Sequence, residues 1–199
     1  MASIASQNKA HTPSPRKISW SEFEKRYLTR EDKYKYEWLN GLVEKTERSI
    51  NQEQFYIVRN LFSFFRKLVV SSKLSGELMI EGDAFFLENH RKPDIAYYTD
   101  EQIDRATYGG NQVPLFVIEV ISKNDKINKN QLKIQDYFNA GVQVIWEILP
   151  AIQQVNVYHS SDRSMKIKKG EDLCSAAPVL PDFAMTVNAI FQKPEVITE

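Results

Sequence analysis

The chain has 199 residues, and its 26 Lys and Arg balance 26 Asp and Glu, so its formal net charge is zero. Hydrophobic residues make up 42% of it and aromatic residues 12%, which excludes a wholly disordered protein. The longest apolar run, residues 113–118, is far shorter than the roughly 20 residues that a membrane helix needs. The single cysteine, Cys174, excludes an internal disulfide and a cysteine-rich zinc site. These features predict one cytoplasmic domain.

The N-terminal region is predicted to contain a tail, a short helix and a hairpin. Residues 1–17 are polar and unpatterned, which is typical of a flexible tail, and residues 19–28 have the pattern of a short helix. The pair Asn40-Gly41 lies between two apolar segments. Asn-Gly is the strongest short signal for a tight hairpin because both turn positions need a positive φ. We therefore predict a hairpin over residues 34–45.

The next region is predicted to form a long helix and two strands. Apolar residues repeat at helical spacing over residues 55–69. Residues 77–87 and 94–98 have strand character, and a polar turn is expected around Asn89. Residues 100–105 are expected to form a short helix.

The C-terminal half predicts a crossover between parallel strands. The nearly continuous apolar run at 113–121 is typical of a central strand that is covered on both faces. Residues 128–140 have helical spacing, and Gly141 fits the end of that helix. Further strands are predicted over 142–149 and 153–158. A strand, a helix and a strand in this order indicate a parallel connection, whereas the hairpins are antiparallel.

This order of elements predicts an α/β fold in which a mixed sheet is flanked by helices, with an N-terminal β-hairpin. An edge strand is expected over 164–168 and a closing turn over 187–191. Because no linker rich in proline or glycine divides the chain, we predict a single domain over residues 18–192. The tails are then residues 1–17 and 193–199.

Few residues in the sequence have a pattern that indicates chemistry. It contains no G-x-S-x-G nucleophile motif and no glycine-rich phosphate loop, which excludes most hydrolase, nucleotide-binding and dehydrogenase classes. Asp94 follows Pro93 at the start of a predicted strand, and Glu119 interrupts the most apolar strand. Two carboxylates on neighbouring strands offer the hard oxygen ligands that Mg²⁺ or Mn²⁺ prefers. Alternatively, Glu119 forms a structural ion pair with a lysine, and Asp94 caps a turn.

Several segments, taken in their order and spacing, resemble the Uma2 family. They are YEWLNG at 36–41, RKPDI at 91–95, PLFVIEVIS at 114–122, VNVY at 155–158 and PVLPDF at 178–183, together with Lys133, Tyr137, Gly141, Val142, Trp146 and Pro150. The resemblance covers about residues 18–192. It implies the PD-(D/E)XK restriction-endonuclease-like superfamily, whose core is a mixed sheet flanked by helices.

The resemblance also implies which acidic residues form a site. The active site of the superfamily has an Asp on one strand and a Glu-x-Lys on the next, often with an acid from an earlier element. Asp94 and Glu119 match the two strand acids, and Glu37 matches an early glutamate in the hairpin. Ile121 stands at the lysine position of the strand motif. In many Uma2-like sequences, a lysine on the following helix takes that role.

Lys133 stands at that helix position, and Tyr137 follows one turn later on the same face. Lys123, which shares a strand face with Glu119, is the alternative lysine. The sequence departs from the family pattern at two positions. Asn51 stands where the family often has His, and Lys129 stands where it often has Asp.

The function implied by the resemblance is a Mg²⁺- or Mn²⁺-dependent endonuclease that hydrolyses DNA phosphodiester bonds. The metal is expected to be held by Asp94, Glu119 and the backbone carbonyl of Val120. A basic helix face is expected to hold the phosphate backbone without reading bases, although such a face is also typical of a simple solvated surface. The residues expected to contact nucleic acid are Lys126, Lys129, Lys133 and Tyr137.

Two other classes of function remain open. The first is a module of the same fold with a degraded site, which binds nucleic acid or a protein partner. The second is a structural or regulatory subunit in which apolar edge strands over residues 142–158 pair across a homodimer. A membrane is not an expected partner in any of these cases.

Overall fold

The computed structural model describes residues 16–47, 52–86, 89–122 and 127–195. Within these ranges the helices are α1 (Trp20–Phe23), α2 (Phe55–Val70), α3 (Asp100–Thr107), α4 (Ile127–Ala140) and α5 (Val187–Ile190). The strands are β1 (Tyr34–Leu39), β2 (Leu42–Glu47), β3 (Glu77–Ile80), β4 (Ala84–Phe86), β5 (Asn89–Arg91), β6 (Ile95–Tyr98), β7 (Phe116–Val120), β8 (Val144–Leu149), β9 (Gln154–His159), β10 (Ser164–Lys169), β11 (Leu173–Ala176) and β12 (Leu180–Thr186). None of the helices in the described ranges is long and apolar enough to cross a bilayer.

A six-stranded mixed sheet forms the centre of the fold, in the order β10-β9-β8-β7-β6-β3. Strands β7 and β8 are parallel, and α4 connects them, which confirms the predicted crossover. The other neighbouring pairs in this sheet are antiparallel. The mixed sheet with flanking helices is the fold class predicted from the sequence.

The two faces of this sheet are covered by different helices. Phe116, Ile118 and Val120 of β7 belong to the core that also contains α2, α5 and the β11–β12 pair. Val117 belongs to the core beneath α4. Because strand side chains alternate between faces, Glu119 shares the α4 face with Val117. The sequence of β7 therefore places one carboxylate in an otherwise apolar layer under that helix.

A second, four-stranded sheet contains the N-terminal hairpin, in the order β2-β1-β5-β4. Asn40 and Gly41 both have a positive φ at the hairpin turn, as predicted. Strand β1 also pairs with β5, and Trp38 lies opposite His90. The segment between β5 and β6 then carries the chain from this sheet into the six-stranded one.

Two predictions about the region before β6 differ in detail from the structure. Residues 77–87 do not form one strand, because β3 and β4 belong to different sheets and the chain turns between them, with Glu81 at a φ of 49°. Asn89 begins a strand that was not predicted, β5, which pairs antiparallel with β4, so the chain reverses its direction just before Asn89.

The predicted edge position of residues 142–158 is also wrong. Strand β8 lies between β7 and β9, and β9 pairs along its whole length with β10. The edge on this side of the sheet is formed by Ser164–Lys169, which confirms the edge strand predicted over 164–168 and carries Lys166, Lys168 and Lys169. Lysines on an edge strand oppose further strand pairing, so this edge gives no support to the proposed strand-paired homodimer. The short β11–β12 ladder was not predicted.

Candidate active site

Asp94 and Glu119 meet where β6 and β7 lie side by side. Ile95 pairs with Ile118, which brings the preceding Asp94 beside the following Glu119. Their exposed fractions are 2% and 5%. Both line a cleft of about 80 Å³ that lies between the two sheets and α4, and Lys133 lines the same cleft. The two predicted acids and the predicted helix lysine are thus neighbours in space.

Glu119 is held by two side chains from consecutive turns of α4. Lys133 Nζ donates to Glu119 Oε2 at 2.8 Å, and the Tyr137 hydroxyl donates to Glu119 Oε1 at 2.5 Å. Burial raises the pKa of Glu119, and the nearby charge of Asp94 raises it further, against the lowering effect of Lys133. Burial and the Glu119 charge also raise the pKa of Tyr137 well above its usual value. The tyrosine therefore keeps its proton and acts as a donor.

Asp94 is held by a lysine that the sequence analysis did not identify. Lys35 Nζ, from β1, donates to Asp94 Oδ1 at 2.7 Å, and the Val120 backbone N–H donates to Asp94 Oδ2 at 2.9 Å. Lys35 is only 5% exposed. Burial alone lowers the pKa of Lys35, but the charges of Asp94, Glu119 and Glu37 outweigh burial and raise it above its usual value. Lys35 is therefore a permanent cation inside the cleft.

Glu37 anchors the third part of the cluster. Because Trp38 lies opposite His90, the neighbouring Glu37 lies beside Arg91. Arg91 Nη1 donates to Glu37 Oε2 at 2.9 Å, and Arg91 Nη2 donates to Asp136 Oδ2. The Lys92 backbone N–H donates to Glu37 Oε1 at 2.9 Å. Arg91 therefore links the hairpin sheet to α4.

Glu37 is expected to make the stability of the protein depend on pH. Burial alone raises the pKa of Glu37, but the charges of Lys133, Arg91 and Lys35 outweigh it and lower the pKa from 4.5 to about 2. Because the folded pKa is depressed, the unfolded chain takes up the proton first. The stabilisation is present above pH 4.5 and is lost as the pH falls towards 2. The shift corresponds to about 3 kcal/mol, of which about 2 kcal/mol is lost by pH 3.

We test this with urea unfolding of the wild type and of Glu37→Gln at pH 7 and pH 3. The unfolding free energy of the wild type minus that of Glu37→Gln is expected to be about 2 kcal/mol smaller at pH 3 than at pH 7. Glu101→Gln, in an exposed surface pair, controls for the loss of one carboxylate. A difference of the same size at both pH values contradicts the prediction.

Within the described part of the chain, three carboxylates of the cleft form ion pairs with three cations, and one of these cations, Arg91, is also paired with Asp136. The three carboxylates and the three cations are Glu37, Asp94, Glu119, Lys35, Arg91 and Lys133. The carboxylate oxygens of Asp94 and Glu119 have the chemistry that a hard divalent cation needs. Across the described ranges, however, no three His, Cys, Asp or Glu side chains form a metal-holding group. The Lys35 ammonium lies against Asp94, where such a cation would make contact.

The structure thus brings together four of the five residues that the sequence analysis selected as catalytic: Asp94, Glu119, Glu37 and Lys133. It adds Lys35, Arg91 and Asp136, which the sequence analysis did not assign. The sequence contained one indication of Lys35: it precedes Glu37 by two residues, so the two side chains share a face of β1.

The other predicted residues lie in three different situations. Lys123 and Lys126 lie outside the described residues. Lys129 is at the mouth of the cleft, half-exposed, with its Nζ 3.3 Å from Glu44 Oε1. Tyr137 is fully buried, so it offers no surface to a nucleic acid and belongs to the interior of the cluster.

The fold, a mixed sheet in which α4 connects the parallel strands β7 and β8, is shared with a solved structure. That structure is described as a putative nuclease belonging to DUF820 from Anabaena variabilis ATCC 29413. It is 20% identical to this chain, with a TM-score of 0.71 over 87% of this chain and 97% of that one.

The family is shown by the sequence itself. Residues 20–188 match the Uma2 family, which is described as "Putative restriction endonuclease", and the chain belongs to that family. No curated protein matches the chain. The resemblance seen in the sequence and the predicted fold class are both confirmed.

Proposed function

We propose that this protein is a metal-dependent endonuclease that hydrolyses DNA phosphodiester bonds in the cleft between the two sheets. One observation carries the proposal: Asp94, Glu119 and the Lys133 ammonium lie in one cleft, and Lys133 is bonded directly to Glu119. Membership of a family described as "Putative restriction endonuclease" supports the same reaction. Buried, charged groups that converge on a cleft are typical of catalytic sites.

Each group has a defined role in the proposal. Asp94, Glu119 and the backbone carbonyl of Val120 would hold Mg²⁺ or Mn²⁺, which supplies an activated water and polarises the phosphoryl group. Lys133, whose side chain is 15% exposed, stabilises the negative charge that develops on the phosphoryl oxygens. Tyr137 fixes the orientation of Glu119 through its 2.5 Å hydrogen bond.

The proposal is tested with supercoiled plasmid and single-stranded DNA, in a titration with Mg²⁺ or Mn²⁺. We expect cleavage that requires the metal and stops when EDTA is added. Glu119→Gln, purified in parallel, controls for a contaminating nuclease and is expected to be inactive. If the wild type does not cut DNA at any metal concentration, the proposed function is wrong, and calorimetry then shows whether the protein binds the metal.

Lys129 is expected to contribute to DNA affinity rather than to chemistry. Its amine is half-exposed at the mouth of the cleft, near Glu44, and it does not contact the buried acids. In Lys129→Met the slope of log affinity against log salt concentration is expected to fall by about 1, because one fewer phosphate is neutralised. Fluorescence anisotropy at several salt concentrations, with Ca²⁺ in place of Mg²⁺, measures the slope. An unchanged slope removes Lys129 from the DNA interface.

A binding module is the second candidate function. It is favoured by the Lys35–Asp94 contact of 2.7 Å, because a side-chain cation already pairs with one of the acids that would hold the metal. The same plasmid experiment separates the two functions. DNA binding without metal-dependent cleavage supports the module, and metal-dependent cleavage excludes it.

A further inference from the structure

Lys35 is a buried cation that has no role in the proposed reaction. It comes from β1 in the hairpin sheet, whereas Asp94 and Glu119 lie where β6 and β7 are side by side inside the six-stranded sheet. Its ammonium reaches across the contact between the two sheets to lie 2.7 Å from Asp94 Oδ1. An exposed fraction of 5% shows that the contact is made away from bulk water.

The position of Lys35 is the one that a cation bound to Asp94 would take. The second oxygen of Asp94 already accepts the Val120 N–H at 2.9 Å. The Lys35 charge is also close enough to Glu119 and Glu37 to be stabilised by both. One ammonium thus interacts with all three buried acids. A divalent ion at Asp94 would meet a like charge at short range in a region shielded from water.

We propose that Lys35 is a positioning residue that holds the cation position at Asp94 in the metal-free protein, and that a divalent cation binds by displacing it. The inference rests on the proposed function for the choice of Asp94 as a metal ligand. It deepens that function because it makes metal affinity a competition between Lys35 and the ion. The competition keeps the buried acids neutralised before the metal arrives.

The competition predicts a gain of affinity when the lysine is removed. In Lys35→Met the side chain keeps its approximate length but loses its charge, so the ammonium that competes with the metal for Asp94 is removed. We expect Mn²⁺ to bind at least about tenfold more tightly than in the wild type. A substitution that merely damages the structure does not raise metal affinity.

The experiment measures Mn²⁺ binding by electron paramagnetic resonance, in the absence of DNA. The wild type is compared with Lys35→Met, with the double variant Lys35→Met/Asp94→Asn and with Lys33→Met. Lys33 is a nearby exposed lysine whose substitution is expected to leave the affinity unchanged. The double variant is expected to lose the gain, because it lacks the carboxylate at Asp94.

Two results overturn the inference. One is a Lys35→Met protein that binds Mn²⁺ no more tightly than the wild type, including the case in which neither binds. The other is a double variant that binds as tightly as Lys35→Met, because the gain then does not arise at Asp94.

Circular dichroism confirms that each variant is folded. If Lys35→Met does not fold, Lys35→Gln replaces it, since its amide still donates to Asp94 without the charge. If that variant also fails to fold, the chemical acylation of Lys35 is measured in the wild type. Acylation of Lys35 that increases with added Mn²⁺ supports its displacement by the metal, and acylation that stays constant overturns the inference.

The outcomes for the two proposals can be told apart. If Lys35→Met binds Mn²⁺ more tightly and the wild type never cuts DNA, the competition between Lys35 and the metal is supported and the nuclease proposal is wrong. If the wild type cuts DNA in the presence of metal and Lys35→Met binds Mn²⁺ no more tightly than the wild type, the nuclease proposal is supported and the competition is excluded.

Discussion

A protein with Lys133→Met is expected to cleave DNA about 100- to 1000-fold more slowly than the wild type. The Lys133 ammonium lies 2.8 Å from Glu119 and 3.8 Å from Glu37, and its side chain reaches the cleft opening. Methionine fills a similar volume but cannot offset the charge that develops on the phosphoryl group. Single-turnover kinetics with a labelled duplex, at saturating metal, measure the rate of the chemical step.

Two matched lysines make this result specific. Lys129→Met, from the same helix, is expected to change the affinity for DNA but to alter the rate of the chemical step by less than about tenfold. Lys123, which lies outside the described residues, is the alternative catalytic lysine. If Lys123→Met loses the chemical step and Lys133→Met retains it, the roles of the two lysines are exchanged.

The Arg91→Met protein is expected to lose about 3–5 kcal/mol of unfolding free energy. Arg91 is 4% exposed, and its guanidinium binds Glu37 at 2.9 Å and also binds Asp136. Removing it leaves Glu37 buried with its main partner missing and breaks the link between β5 and α4. Breaking a buried pair costs far more than the pair itself contributes, because the remaining charge stays desolvated. Urea unfolding followed by circular dichroism measures the loss.

An exposed arginine provides the comparison. Arg105 pairs with Glu101 on the surface, and their side chains are 65% and 74% exposed. Arg105→Met is therefore expected to change the stability by less than about 1 kcal/mol. Adding Glu37→Gln to Arg91→Met should restore part of the loss, since the stranded charge is removed. A loss below about 1 kcal/mol in Arg91→Met shows that the buried network does not support the fold.

The sequence predicted the acids of the cluster better than its cations. Glu119 could be found because a carboxylate inside an apolar strand is conspicuous, and Asp94 because it precedes the neighbouring strand. Lys133 followed from the family resemblance together with the helical spacing of α4. Local patterns of this kind depend only on residues near one another in the chain.

Lys35 and Arg91 could not be assigned in the same way. Lys35 meets Asp94 across 59 residues of sequence, and Arg91 meets Glu37 across 54. Both contacts depend on the pairing of β1 with β5, and this register is not encoded in either strand alone. The break between β3 and β4 was missed for a related reason, since it depends on which sheet each segment joins.

The contact between the two sheets means that the same ionic groups hold the fold together and surround the candidate catalytic acids. Glu37 and Arg91 connect the hairpin sheet to α4, so natural selection for folding alone is sufficient to retain them. A related protein without catalytic activity would therefore still keep Glu37 and Arg91. Lys129, half-exposed at the cleft opening and paired only with Glu44 among the described ion pairs, is freer to change once DNA is no longer a substrate. Among related chains, the presence of the buried pair alone therefore does not separate active enzymes from inactive ones.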